Sequence, residues 1–146
     1  MSKVDNMTVS YRTEFESCYV QSGELHAHRY RVEITVDGPQ RYEDTGRVIE
    51  FADLSRYLKE AVPDKKFLHH VSGELDDNSR NENDLAASMQ KCGVDVVLFD
   101  DIISVELLCT WIRDRVQFIL DFERPGVRVI EVKLRETTES FATWSI

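Results

Sequence analysis

Between Tyr30 and Val36 the chain alternates without a break, with Tyr30, Val32, Ile34 and Val36 on one side and Arg31, Glu33 and Thr35 on the other. A period of two places every apolar side chain of an extended strand on one face, so this segment belongs to a sheet with one side against a core and the other in water. A helix would scatter the same residues around its axis. Residues 7–20 carry β-branched and aromatic side chains with few breakers and read as a second long strand, antiparallel to the first.

After Asp37-Gly38-Pro39 the period changes. Phe51, Leu54, Tyr57, Leu58, Ala61 and Val62 recur at helical spacing, and Pro63 stops the run. Residues 74–84, crowded with Asp, Asn, Ser and Glu, read as a solvated loop leading to a short helical turn over 85–90, and residues 94–99 as a short extended piece. Ser104 opens a second long helix, in which Val105, Leu108, Trp111, Ile112, Val116, Ile119 and Leu120 follow i, i+3, i+4 spacing before Pro125-Gly126. Residues 127–135 and 141–146 read as closing strands. In the first of these, Val127, Val129, Glu131, Lys133 and Arg135 share one face, and Arg128, Ile130, Val132 and Leu134 the other. Strand pairs flanking grouped helices predict an α+β fold in the order ββααββ, a four-stranded antiparallel sheet with two helices inserted between the strand pairs. The length of 146 residues suits a single domain over 1–146, with no repeat visible.

Composition narrows the partners. With 18 Lys+Arg against 27 Asp+Glu, net −9, the chain lacks the positive field that nonspecific phosphate binding needs, so no nucleic acid is expected. Cys18, Cys92 and Cys109 are odd in number and far apart, which fits a reducing compartment rather than a disulfide framework. Residues 1–6 hold no signal-peptide core, and no run approaches the roughly 18 apolar residues of a membrane span. A cytoplasmic protein with no membrane partner is the expectation.

All 4 histidines fall in two tight pairs. In His26-Ala27-His28 the imidazoles are two apart on a strand and project from one face, the geometry zinc needs from two of its ligands. The second pair is His69-His70. Metal ligation, general acid–base work and ordinary structural roles all remain open for these pairs.

Six segments, in order, carry a resemblance over essentially the whole chain. They are Phe15-Glu16-Ser17-Cys18-Tyr19, Leu25-His26-Ala27-His28-Arg29-Tyr30, Gly46-Arg47-Val48-Ile49-Glu50-Phe51, Leu68-His69-His70, Ser104-Val105-Glu106 and Val132-Lys133-Leu134-Arg135-Glu136-Thr137. Together they resemble the 6-pyruvoyl-tetrahydropterin and 6-carboxy-tetrahydropterin synthase family. The resemblance implies a tunnelling fold, in which trimers of antiparallel sheets form barrels and two trimers stack into a homohexamer with sites between subunits. It also implies zinc held by three histidines, two of them matching His26 and His28, and a pterin-like ligand anchored by Glu136 with Glu106 and Thr137 in support. A carboxylate suits that ring because it accepts the parallel donor pair of ring N–H and exocyclic amine.

Three departures accompany the match. Tyr19 stands at the family's first zinc histidine, and a phenol with a pKa near 10 is a poor zinc ligand at neutral pH. Cys18 beside it faces the other way on a regular strand and could substitute only across a bulge. Ser22 stands at the family's thiol base and, with Gly23, reads as a turn residue. His69 replaces the aspartate that orients the catalytic histidine, which leaves His70 with His69 as the catalytic candidates. The expected function is a divergent family member that binds a pterin or similar bicyclic heterocycle and performs lyase or side-chain chemistry with His70 and a weakly held zinc. The alternative is a non-catalytic pterin- or purine-binding or assembly protein on the same scaffold.

Overall fold

The structure, a computed structural model, describes residues 5–41, 45–71 and 76–146. The expectations placed on residues 1–4 and 74–75 lie outside these. The first two strands, β1 (Asn6–Gln21) and β2 (Glu24–Pro39), form a long antiparallel hairpin paired from Asn6↔Pro39 to Gln21↔Glu24. The alternation fixes its faces: Phe15, Tyr30, Val32, Ile34 and Val36 are buried, while Arg12, Glu14, Arg29 and Arg31 stand in water. Helix α1 (Phe51–Ala61) then buries Leu54, Tyr57, Leu58 and Ala61 on the same face.

The remaining elements are β3 (Lys66–His70), α2 (Asp77–Lys91), β4 (Val96–Phe99), α3 (Val105–Glu123), β5 (Arg128–Arg135) and β6 (Phe141–Ser145). The sheet order is β4-β3-β1-β2-β5-β6. The four-stranded, two-helix expectation is therefore corrected: among the described residues the sheet has six strands and is mixed, and there are three helices. β3 pairs parallel with β1 at Ser17↔Lys66 and Cys18↔Phe67, and β4 parallel with β3. A parallel neighbour requires a crossover, and α2 is that crossover.

This helix takes up most of the stretch expected to be loop and includes the short helical turn expected over 85–90. Asp76 caps it by accepting from the Ser79 N–H at 2.7 Å, but only Ala86 along it is buried, so its polar sequence shows almost no apolar period. It packs mainly on β3 and β4. There it covers Phe67 and His69, whose side chains alternate with Leu68 and so point away from the face holding α1 and α3.

Helix α3 lies across β5 and β6, buries Leu108, Cys109, Ile112, Val116 and Leu120, and is capped by Ser104 Oγ accepting from the Leu107 N–H at 3.0 Å. Its Arg115 donates to the carbonyls of Ala61 and Glu60, which satisfies the end of α1 and ties the two helices together. Strand β5 departs from the strict alternation expected of it. Its register against β2 shifts between Thr35 and Val36, and the bulge lets Val129, Val132 and Leu134 all reach the core. No helix among the described residues is long and apolar enough to cross a membrane.

Candidate functional site at the β1–β2 hairpin

Ser22 (φ 54) and Gly23 (φ 77) both take the left-handed conformation, which makes a two-residue turn of the type that matches strand twist. That turn fixes the register behind it. Tyr19 faces His26, and Ser17 faces His28, across an unbroken ladder. Because alternate residues share a face, Ser17, Tyr19 and Gln21 stand opposite His28, His26 and Glu24 on the side that carries Phe15 and Tyr30 deeper in.

Tyr19 lies flat on the His26 ring, with centroids 4.8 Å apart and planes 10° from parallel. His28 meets Tyr30 edge-on at 5.7 Å, and its Nε2 is 2.7 Å from Glu136 Oε1. Glu136 reaches this cluster because it follows directly on β5, beside β2, and because its turn is closed. Its N–H donates to the Ser140 carbonyl, while Thr137 Oγ1 accepts from the N–H groups of Glu139 and Ser140. Glu136 and Thr137 also border an open cavity of about 460 Å3 shared with Arg29, Arg31 and Arg135. Arg29 and Arg31 are paired there with Glu16 and Glu14.

Burial, reinforced by the charge of Glu136, pushes the Tyr19 hydroxyl above the ordinary tyrosine range. Tyr30 moves the same way, first through burial and then through Tyr19 and Glu136. Both phenols are therefore held as neutral hydrogen-bond donors at neutral pH. Two buried polar atoms on the same face, Ser17 Oγ and Gln21 Oε1, have no hydrogen-bond partner among the described residues. Such atoms are rare in folded chains and mark places where water or a ligand completes the bonding. Sequence reading missed both. Their spacing of two on either side of Tyr19 was the available signal.

The other candidates are placed elsewhere. His69 sits on the opposite face, 5% exposed, with Nε2 2.7 Å from Asn83 Oδ1 of α2. His70 is half-buried at the end of β3 and, by alternation, faces away from His69, so the pair does not converge on one point. Glu106 is exposed in the first turn of α3 and makes no bond to Glu136 among the described residues. Cys18 points away from Tyr19, on a strand with no bulge against β2, and burial pushes its thiol up.

These donors do not fit the three-histidine zinc site that the resemblance implies. His26 and His28 share a face as expected, but no three His, Cys, Asp or Glu side chains among the described residues gather as a cation site. The place of the third imidazole is taken by a phenol stacked ring to ring on His26, and His28 already has Glu136 as a partner.

Comparison with known proteins agrees with the architecture. A Pyrococcus abyssi protein described as a candidate 6-carboxy-5,6,7,8-tetrahydropterin synthase is 27% identical over 122 residues, covering 81% of this chain and 72% of the relative. The crystal structure of 6-pyruvoyl tetrahydropterin synthase from Plasmodium vivax superposes with a TM-score of 0.67 at 16% identity, covering 97% of this chain and 99% of that one. The Caenorhabditis elegans 6-pyruvoyl tetrahydropterin synthase structure gives 0.64 at 12% identity, covering 100% and 99%. Identities this low speak to the fold. The model of the 6-pyruvoyl tetrahydropterin synthase family itself matches residues 7–145. The chain belongs to the 6-pyruvoyl tetrahydropterin synthase family.

Proposed function

We propose that the protein binds a reduced pterin at the hairpin cluster and acts on the side chain of that pterin as a lyase. The observation that carries this reading is the 2.7 Å contact between His28 and Glu136, which holds a carboxylate at the rim of a cavity and near Tyr19. Among the described residues Glu136 is engaged there through Oε1, and a carboxylate has about four acceptor positions, so it can take the donor edge of a pterin as well.

Beyond the ring, Tyr19 offers a neutral phenol where the family places a zinc ligand. A donor of that kind stabilises oxygen charge that develops as a carbonyl enolises, and it needs no deprotonation to act. His26, stacked on Tyr19, and His28 are the groups within the cluster able to pass a proton. Ser17 Oγ and Gln21 Oε1, lacking partners, provide further polar contacts for the side chain. His70 lies outside the cluster of one chain. In a barrel assembly, formed by pairing the open edges of β4 and β6, it would act from a neighbouring copy. The loss of a fitting zinc site and the placement of Ser22 in the turn favour, as a second reading, a binding protein without turnover on the same pocket.

Titration of the purified protein with 7,8-dihydroneopterin by calorimetry tests the binding step. Saturable binding near one ligand per chain is expected. An absence of binding to this and to other reduced pterins would refute both readings, whereas binding with no product in the chromatographed mixture would select the second.

A further inference from the structure

The same hairpin has a second face. Cys18 alternates with Ser17 and Tyr19, and Ala27 lies between His26 and His28, so both point to the side of the sheet opposite the cluster described above. There the crossover helix stands off from the hairpin and leaves an open groove of about 560 Å3. Its walls are Cys18, Ala27, Phe67, Met89 and Val94. The size is that of a site for a small organic molecule, and the lining is predominantly apolar.

The polar groups at its mouth are mainly cations: Lys65, Lys66 and Arg29, with Glu16 among them. Arg29 is held by Glu16, and Lys66 by Asp95. Asp64, next in the chain, accepts from the Glu16 N–H. The Lys65 ammonium has no hydrogen bond or ion pair among the described residues. Its backbone is held in the left-handed region at φ 57, with its N–H donated to the Glu16 carbonyl, so the residue is fixed against β1 at the edge of the groove. With Arg29 and Lys66 each held by a carboxylate, Lys65 is the cation at this apolar slot that is open to an acid group.

We infer that this groove is a second ligand site, for a small organic acid with a compact aromatic or branched body, which lies against Phe67 and Met89 while its acid group meets Lys65. The groove opens on the face opposite Tyr19, borders the pterin cluster at Ser17 and His28 and its cavity at Arg29, and is tested separately from that cluster. Burial raises the Cys18 thiol, so it is a slow nucleophile that lines the groove, and ligand binding involves no covalent step.

The probe pair 8-anilinonaphthalene-1-sulfonate and N-phenyl-1-naphthylamine tests this, since the two share an apolar body and differ in the acid group. Both should bind the full-length protein and fluoresce, the sulfonate more tightly. Lys65→Gln should weaken the sulfonate about three- to tenfold and leave the neutral probe unchanged. Ala27→Trp and Val94→Trp, each at an exposed position on the wall, should remove both. In a Cys92→Ser background the sulfonate should slow alkylation of Cys18 by iodoacetamide. The inference is overturned if neither probe binds, as when a second copy of the chain covers the groove. It is equally overturned if binding survives both tryptophan variants, if Lys65→Gln affects the two probes alike, or if Cys18 reacts at the same rate with and without probe.

Discussion

Tyr19→His would place a third imidazole where the hairpin now has a phenol. Tyr19 is 7% exposed and packed on His26, so exchanging it for a smaller ring removes buried contacts and costs about 1–3 kcal/mol. For a domain of this size each kcal/mol moves Tm by about 2–4 °C, which puts the metal-free variant about 2–12 °C below the wild type. Direct pairing of position 19 with His26, and of Ser17 with His28, places three imidazoles on adjacent points of one face. Bonds near 2.0–2.1 Å to each require His28 to exchange Glu136 for the metal. At a zinc concentration one hundred times Kd, binding returns about 2.7 kcal/mol, so zinc should restore most or all of the lost Tm. The assay is thermal unfolding with and without zinc, beside metal analysis after mild chelation. Zinc should leave the wild type nearly unmoved and substoichiometric. Stoichiometric, chelator-resistant zinc in the wild type, or no thermal gain in the variant, would refute the reading of this donor set.

Alkaline unfolding should reveal the two buried phenols. Folding raises the pKa of Tyr19 and Tyr30, so their contribution to stability is complete below about pH 10, where the unfolded phenol starts to ionise, and is lost as pH rises through the folded values. Tyr19→Phe should flatten that loss in urea titrations at pH 9–11. Asp76→Ala removes the cap of α2 and should speed amide exchange at Ser79 while leaving that of α3 unchanged. In the wild type the same fraying should set in as pH falls through the lowered carboxyl range of Asp76, because its stabilising hydrogen bond is present only above it. Leu134→Ala, in the core just before Glu136, should cost about 2–5 kcal/mol in denaturant unfolding.

The hairpin and two of the helices were legible because their apolar residues outnumber the exceptions and keep one period. Of the mixed edge of the sheet, the extended piece at 94–99 was legible as β4 but its pairing was not, and β3 was not. Strand β3 has five residues, too few to separate a buried strand from a helix fragment, and α2 touches the body of the protein through so narrow a stripe that its sequence resembles a loop. The same omission hid the orientation of His69 and His70, which on a strand face opposite ways, with His69 against Asn83. In β5 a bulge turned Val129 and Val132 to one face, which strict alternation forbids. Within the candidate site the shared face of His26 and His28 followed from their spacing, and the turn at Ser22 from its Gly23 neighbour. The approach of Glu136 to His28 depends on a pairing between β2 and β5 that spans most of the chain, and no local pattern encodes it.

The central claim is that Glu136 anchors the ring of a pterin. Calorimetric titration of wild type, Glu136→Gln and Ser22→Ala with one reduced pterin tests it most directly. Glutamine replaces an acceptor oxygen with an NH2 that opposes the ligand N–H, at a cost of about 1–3 kcal/mol, so the variant should bind roughly tenfold more weakly or worse. Ser22, in the exposed turn, makes no ring contact in this account, and Ser22→Ala should bind as the wild type does. Equal affinity of wild type and Glu136→Gln for the pterin would contradict the claim.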